Sequence, residues 1–182
     1  MKDLDSAARQ QAAETLVIAF KEHSPEAWPT IEEGLNEVKE SLGDGHISRA
    51  AVNEHGRVLG WIGGVDAYHG HGWELHPLAV HPDAQRQGVG EALVRDLEEQ
   101  VRIRGGGTIF LGSDDENNMT SLSGIDLYPD VLAHLQNIKD LKGHPFVFYQ
   151  KLGYVIVGVI PDANGFGKPD ILMAKRISAV PS

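Results

Sequence analysis

Cysteine is absent from the 182-residue chain, which excludes a disulfide framework, a thiolate metal site and a cysteine nucleophile. Basic residues are scarce: 16 Lys and Arg stand against 26 Asp and Glu, a formal charge of −10. That balance argues against duplex nucleic acid or an anionic membrane as the main partner, and it would draw in a cation. It also serves plain solubility. No segment approaches the apolar length of a membrane span, and the N-terminal MKDLDSAARQQAAETLVIAF has acids near its start and only a short apolar run. A soluble, cytoplasmic protein is expected. Internal repeats, linkers and low-complexity segments are also missing. What is present is 41% hydrophobic and 23% charged residues, enough apolar material for one core, so the length predicts a single domain over 1–182.

Taken in order, residues 6 to about 22 place Ala8, Ala12, Leu16 and Ala19 or Phe20 at helical spacing, with Asp5 or Ser6 as N-cap. Thr30 followed by Glu33 fits a capping box for a second helix reaching about Leu42. Strand-like runs at 47–53 and 58–66 flank Glu54-His55-Gly56-Arg57, which predicts a hairpin. Trp61 and Trp73 read as core or pocket-wall aromatics. His69 and His71 lie among glycines with no acid or thiol fixed at ligand spacing, so they read as loop and no metal is expected.

The stretch that organises the chain is Trp73 to Glu91, WELHPLAVHPDAQRQGVGE. Its first half is a strand stopped at His81-Pro82. Gln85, Gly88 and Gly90 then form Q-x-x-G-x-G, and Val89, Leu93, Leu97 and Val101 share one helical face. A glycine-bearing turn at a helix N-terminus aims unpaired N–H groups and the positive dipole end at one anion, with phosphate the natural guest. Arg86 adds a full positive charge. By itself the turn is equally consistent with a plain strand-to-helix connection.

Beyond it, Gly105-Gly106-Gly107 should stop the helix, and Thr108 to Gly112 reads as a short buried strand, parallel to the preceding one through a right-handed crossover. Met119 to Asp126 is loop-like. Leu127, Val131, Leu135 and Ile138 suggest a helix, and a further one starts at His144-Pro145 and ends before Gly153. Tyr154 to Ile160 reads as a buried strand, Asp162-Ala163-Asn164-Gly165 as a turn, and Ile171 to Ile177 as a last strand.

Several linked strings surround the glycine turn: VLGWIGG at 58–64, WELHPLAV at 73–80, LGSDDE at 111–116, HPFVFYQKLGYVIVGVIP at 144–161 and KPDI at 168–171. In order and spacing they resemble the GNAT acetyltransferases, and within them the aminoglycoside 6'-N-acetyltransferases, over about Trp28 to Arg176. The resemblance implies an α/β (α+β) GNAT acyltransferase fold. That is a mixed, mostly antiparallel sheet with helices on both faces and a bulged central strand splayed from its neighbour. It further implies acetyl-CoA as co-substrate, a cationic aminoglycoside as acceptor, antibiotic resistance as the outcome and a homodimer. One departure is visible: only Met1 to Leu4 remain for the strand that usually precedes the first helix.

Acetyl transfer from a thioester to an amine requires a held cofactor, a neutral amine, a stabilised oxyanion and a proton for the leaving thiolate. The cofactor pyrophosphate falls to the N–H groups of Arg86, Gln87, Gly88, Val89, Gly90 and Glu91 at the helix start, and the resemblance adds Gln85 to the cofactor-binding residues. It assigns the pantetheine arm to the backbone of Leu78, Ala79 and Val80, with the Leu78 N–H as oxyanion donor. An alkyl ammonium, like lysine at ~10.4, must lose a proton before attack. Glu74 and His76 stand two apart on the strand, hence on one face. Glu74 is the first choice for binding and deprotonating the amine and His76 the second, although His76 reads equally well as a core histidine. Tyr149 corresponds to the residue placed near the cofactor sulfur as general acid, against a plain reading of aromatic packing. Asp114, Asp115, Glu116 and Asp170, with Glu74, are candidates for an acidic acceptor cleft, and Trp28 and Asp126 are further candidates there. Two rival functions stay open: the same chemistry on a polyamine or peptide N-terminus, and a non-catalytic acyl-CoA-binding sensor.

Overall fold

The computed structural model describes residues 5–22 and 24–178, so the short strand considered at Met1 to Leu4 lies outside the described residues. The elements run α1 (Ser6–Phe20), α2 (Ile31–Glu40), β1 (His46–Val52), β2 (Val58–Ala67), β3 (Gly72–Val80), α3 (Val89–Ile103), β4 (Thr108–Asp114), α4 (Val131–Gln136), α5 (Phe146–Lys151), β5 (Val155–Ile160) and β6 (Asp170–Arg176). No helix among the described residues is long and apolar enough to cross a membrane. The chain packs as two compact units, one running to Ile109 and joined by the segment from Arg176, the other Phe110–Lys175.

In the first unit β1, β2 and β3 form an antiparallel meander. Side chains alternate across it, and each face receives helices. On one face Ala12, Ala13 and Leu16 of α1 and Val38 of α2 close over Ala50, Trp61 and Ala79. Leu16 and Trp61 have no exposed surface, and burying side chains of this size stabilises the fold by about 2–3 kcal/mol each. The Trp61 indole N–H is not stranded there, because it donates to Ser48 Oγ at 2.9 Å. On the opposite face α3 lies close over β2: a Cβ added at Gly60 would stand 2.9 Å from Leu93 Cδ1, and one at Gly64 would stand 2.7 Å from Leu97 Cδ1. Arg49 on β1 pins α3 through Asp96 at 2.6 Å.

The local signals read in the sequence produce these elements. Asp5 caps α1 by accepting the Ala8 N–H, and Thr30 with Glu33 makes the reciprocal capping box of α2. The AYHGHGW segment is a short 3-10 turn at Tyr68–Gly70. The described residues contain no group of His, Asp or Glu able to hold a metal ion.

The second unit holds β4, β6 and β5, with β6 antiparallel to β5. Three expectations change here. The set Leu127, Val131, Leu135 and Ile138 does not share one helix, because Pro129 forbids a helical turn through Tyr128 and α4 starts only at Val131. Proline stands at the cap of α5 instead of inside its first turn, since α5 begins at Phe146. The run taken for a buried strand is β5, which pairs with β6 and leaves Val155 and Val157 about 60% exposed. A continuous apolar run signals a strand but does not report whether both of its faces are covered.

Candidate active site

The feature that shapes the candidate site in the first unit is a bulge in β3. Ile62 pairs with Leu78 and Gly64 pairs with Leu75, so His76 and Pro77 together oppose Gly63. The bulge depends on that glycine, because a Cβ there would fall 2.2 Å from the His76 carbonyl oxygen. Beyond the bulge Leu78 is half-buried, Ala79 is buried in the core, and the Val80 carbonyl accepts from Gln85 Nε2 at 3.3 Å.

The His76 ring leans out of the bulge with about half of its side chain exposed, and its Nε2 lies 4.0 Å from Oε1 of Glu37 on α2. The other Glu37 oxygen accepts the Trp28 indole N–H at 3.3 Å. The Trp28 ring stands 5.8 Å from the His76 ring and edge-on to Phe20 at 4.7 Å. Trp28 and His76, both singled out in the sequence, are thus brought together, and Glu37 is a member that the sequence reading missed. Its one signal was position: it borders the buried Gly34 and Val38 of α2, where a carboxylate is half-buried instead of solvated. Glu74, two residues before His76, is half-buried on β3 opposite Val65.

The turn after β3 presents backbone N–H groups at the start of a helix. Pro82–Ala84 makes one 3-10 turn, Arg86 and Gly88 take left-handed backbone (φ 59° and 84°), and α3 begins at Val89. The first N–H taken into the helix is that of Ala92, which donates to the Gly88 carbonyl. The N–H groups of Val89, Gly90 and Glu91 therefore stand outside the helical ladder, at its positive end. Gln87 ties the loop by donating from Nε2 to the Asp83 carbonyl at 2.7 Å, and Arg57 holds Asp83 at 3.1 Å. Arg86 is exposed beside these N–H groups. Such a constellation suits the pyrophosphate of a nucleotide cofactor.

In the second unit the candidate acids separate. Asp114 is exposed at the end of β4 and accepts from the Asn164 amide in a short hydrogen bond. Asp115 turns inward and is buried; its carboxylate accepts the Met119 N–H at 2.8 Å and the Thr120 N–H at 2.7 Å. Burial pushes that carboxyl upward, but the N–H groups of Met119 and Thr120 and the hydroxyls of Ser123 and Thr120 outweigh it and hold the group below the usual carboxylate range. Asp115 organises the 115–123 loop and is not on an open wall. Asp126 is exposed and accepts the Tyr128 N–H at 2.9 Å, an Asx turn. Glu116 is half-buried, and Asp170 lies against the Gly112 backbone, so close that a Cβ at Gly112 would collide with the carboxylate.

Tyr149 on α5 is buried, edge-on to Phe148 at 5.0 Å and to Tyr154 at 5.7 Å. Burial raises its phenol well above the ordinary tyrosine value, so the proton stays on at any neutral pH. His144 is a buried polar group that the sequence reading did not single out. It accepts the Phe146 N–H at Nδ1 (3.1 Å), which leaves the proton on Nε2, within 3.1 Å of the Asp114 carbonyl. Burial lowers its pKa against the pull of that carbonyl and of the nearby Asp115, Asp140 and Asp114 charges, which keeps the ring neutral.

The chain is similar to proteins of one known family. The model of the Acetyltransferase (GNAT) family matches residues 10–128. A crystal structure of an aminoglycoside 6'-N-acetyltransferase complexed with coenzyme A is 39% identical, with a TM-score of 0.88, covering 98% of this chain and 95% of that one. The aminoglycoside 6'-N-acetyltransferase from Enterococcus faecium is 38% identical with a TM-score of 0.88, covering 100% and 98%. Aminoglycoside 6'-acetyltransferase type Ii is 35% identical with a TM-score of 0.72, covering 99% and 98%. Among curated proteins no match is found.

Proposed function

The chain belongs to the GNAT family of acetyltransferases, and from that membership we propose that it transfers an acetyl group from acetyl-CoA to the 6'-amine of an aminoglycoside, the chemistry of a resistance enzyme. The observation that carries the reading is the 39% identity, over nearly the whole of both chains, to an aminoglycoside 6'-N-acetyltransferase complexed with coenzyme A.

The residues fit the roles. Acetyl-CoA supplies an activated thioester; the free N–H groups at Val89 to Glu91 and the Arg86 charge suit its pyrophosphate. Leu78, immediately after the bulge, offers its N–H to the developing oxyanion. Glu74 and His76 are the groups able to relieve the acceptor ammonium of a proton. Tyr149 holds a proton that neutral solution does not remove, as a general acid to a thiolate requires. Of the acids, Asp114, Glu116, Asp126 and Asp170 remain candidates for holding the other ammonium groups of the acceptor, while Asp115 supports the 115–123 loop, which carries Glu116. The family resemblance extends the proposal to a cytoplasmic homodimer.

The test is thiol release from acetyl-CoA with kanamycin, spermine and a peptide amine, followed by mass spectrometry of the product. Rapid release with kanamycin and one acetyl group on the 6'-nitrogen is expected. Silence with kanamycin while another amine reacts would overturn the acceptor assignment and leave the transferase; binding of acetyl-CoA without turnover of any amine would point to a sensor.

A further inference from the structure

We propose that Glu37 is a positioning residue for His76, and that the two act together in taking the first proton from the acceptor ammonium. The inference rests on the acetyltransferase reading above and deepens it by choosing among the groups on β3. Glu37 divides its carboxylate between two neighbours: Oε2 accepts from the Trp28 indole N–H at 3.3 Å, and Oε1 faces His76 Nε2 at 4.0 Å. The indole bond fixes the carboxylate, and the carboxylate in turn favours the imidazole tautomer whose proton is on Nε2, because a lone pair there would face negative charge. Nδ1 is then left with its lone pair available.

The geometry has the parts needed to relay one proton. A neutral His76 takes a proton from the ammonium at Nδ1, which turns R–NH3+ into R–NH2 with a free lone pair and the ring into an imidazolium. The Glu37 charge, three-quarters buried, faces that new positive charge where screening by water is reduced. His76 is about half exposed, so the proton can pass on to solvent and the ring is reset for another turnover. The second nitrogen proton, lost after attack, is distinct and matches the one gained by the thiolate. Trp28 stands on one side of the ring at 5.8 Å. A histidine held in this way by a carboxylate and an aromatic wall has a cause for its conformation that a strand residue pointing freely into solvent lacks.

The experiment compares the intact protein with Glu37→Gln, Glu37→Asp, His76→Gln and the Glu37→Gln/His76→Gln double variant, using kanamycin as acceptor. Glu37→Gln should lower kcat about tenfold while leaving the KM for acetyl-CoA within twofold, and Glu37→Asp should recover part of the loss. In the His76→Gln background the Glu37→Gln change should cost less than twofold, because the carboxylate acts through the ring. Independent, multiplicative losses in the double variant, or wild-type kcat in Glu37→Gln, would overturn the proposal. A second readout needs no substrate: nitrogen NMR of the imidazoles should find the Nε2–H tautomer of His76 more fully populated in the wild type than in Glu37→Gln, and a ring indifferent to Glu37 would overturn the proposal. Should the wild-type protein leave kanamycin untouched, the acceptor reading falls, and the tautomer spectrum still decides whether Glu37 governs the ring.

Discussion

Asp115 and His144 show how a buried ionisable residue is kept in one protonation state, and both have consequences for stability. The Asp115 carboxyl is held low by N–H and hydroxyl donors, so its contribution is present above the ordinary carboxylate value and is lost as pH falls through the depressed one. Asp115→Asn, which sets an amide against the N–H donors of Met119 and Thr120, is expected to cost about 2 kcal/mol, measured by urea unfolding at pH 7. For His144 burial lowers the pKa, so stability is full above the unfolded value near 6.5 and declines as pH falls below it. Urea unfolding of the wild type between pH 7 and 5 should follow that decline, whereas His144→Gln, less stable at pH 7, should show a flatter profile. Tyr149 is the complementary case. Burial raises its phenol pKa, so the hydroxyl stays protonated throughout the assay range, and stability falls only when alkali ionises the unfolded tyrosine near pH 10. Replacing it by phenylalanine should lower kcat at every pH between 6 and 9 with acetyl-CoA KM little changed; an unaltered kcat would remove it as general acid.

At the scale of the element, two glycines stand where a side chain would cost backbone strain or space. Gly88 adopts φ 84° at the start of α3 with nothing within 4 Å of an added Cβ, so Gly88→Ala is a test of backbone conformation alone. It should cost about 1–2 kcal/mol and raise the KM for acetyl-CoA, because the N–H groups at the helix start would turn away from their common point. Gly63 is the opposite case, a matter of space: the His76 carbonyl occupies the place of its Cβ. Gly63→Ala should destabilise by about 3 kcal/mol and depress kcat more than the acetyl-CoA KM, since the bulge that presents His76 must move. The glycines of VLGWIGG were legible as a string but not as contacts. Alternation along β2 sends Gly60 and Gly64 toward α3, and the bulge alone explains Gly63. Helices α1 to α3 follow their caps and apolar spacing closely. In α4 the apolar spacing runs across Pro129, and there the backbone prohibition overrides the pattern.

For the molecule as a whole, a formal charge of −10 favours encounter with a polycationic acceptor through long-range attraction, which salt screens. The kcat/KM for kanamycin should therefore fall as sodium chloride is raised from 50 to 500 mM while kcat changes little; an unchanged kcat/KM would show that the net charge does not act on binding. The sequence by itself determined the family, the glycine turn before α3 and most helices and strands, because caps, glycine turns and residue periodicity act over a few neighbouring positions and are written in consecutive residues. Tertiary structure alone decided the surroundings of each acid. Asp115 and Asp114 are adjacent in the chain, yet one is buried among N–H donors and the other is exposed. Glu37 meets His76 across 39 positions of sequence. Desolvation and the position of a partner set the chemistry of a charged group, and both depend on which distant segments fold against it.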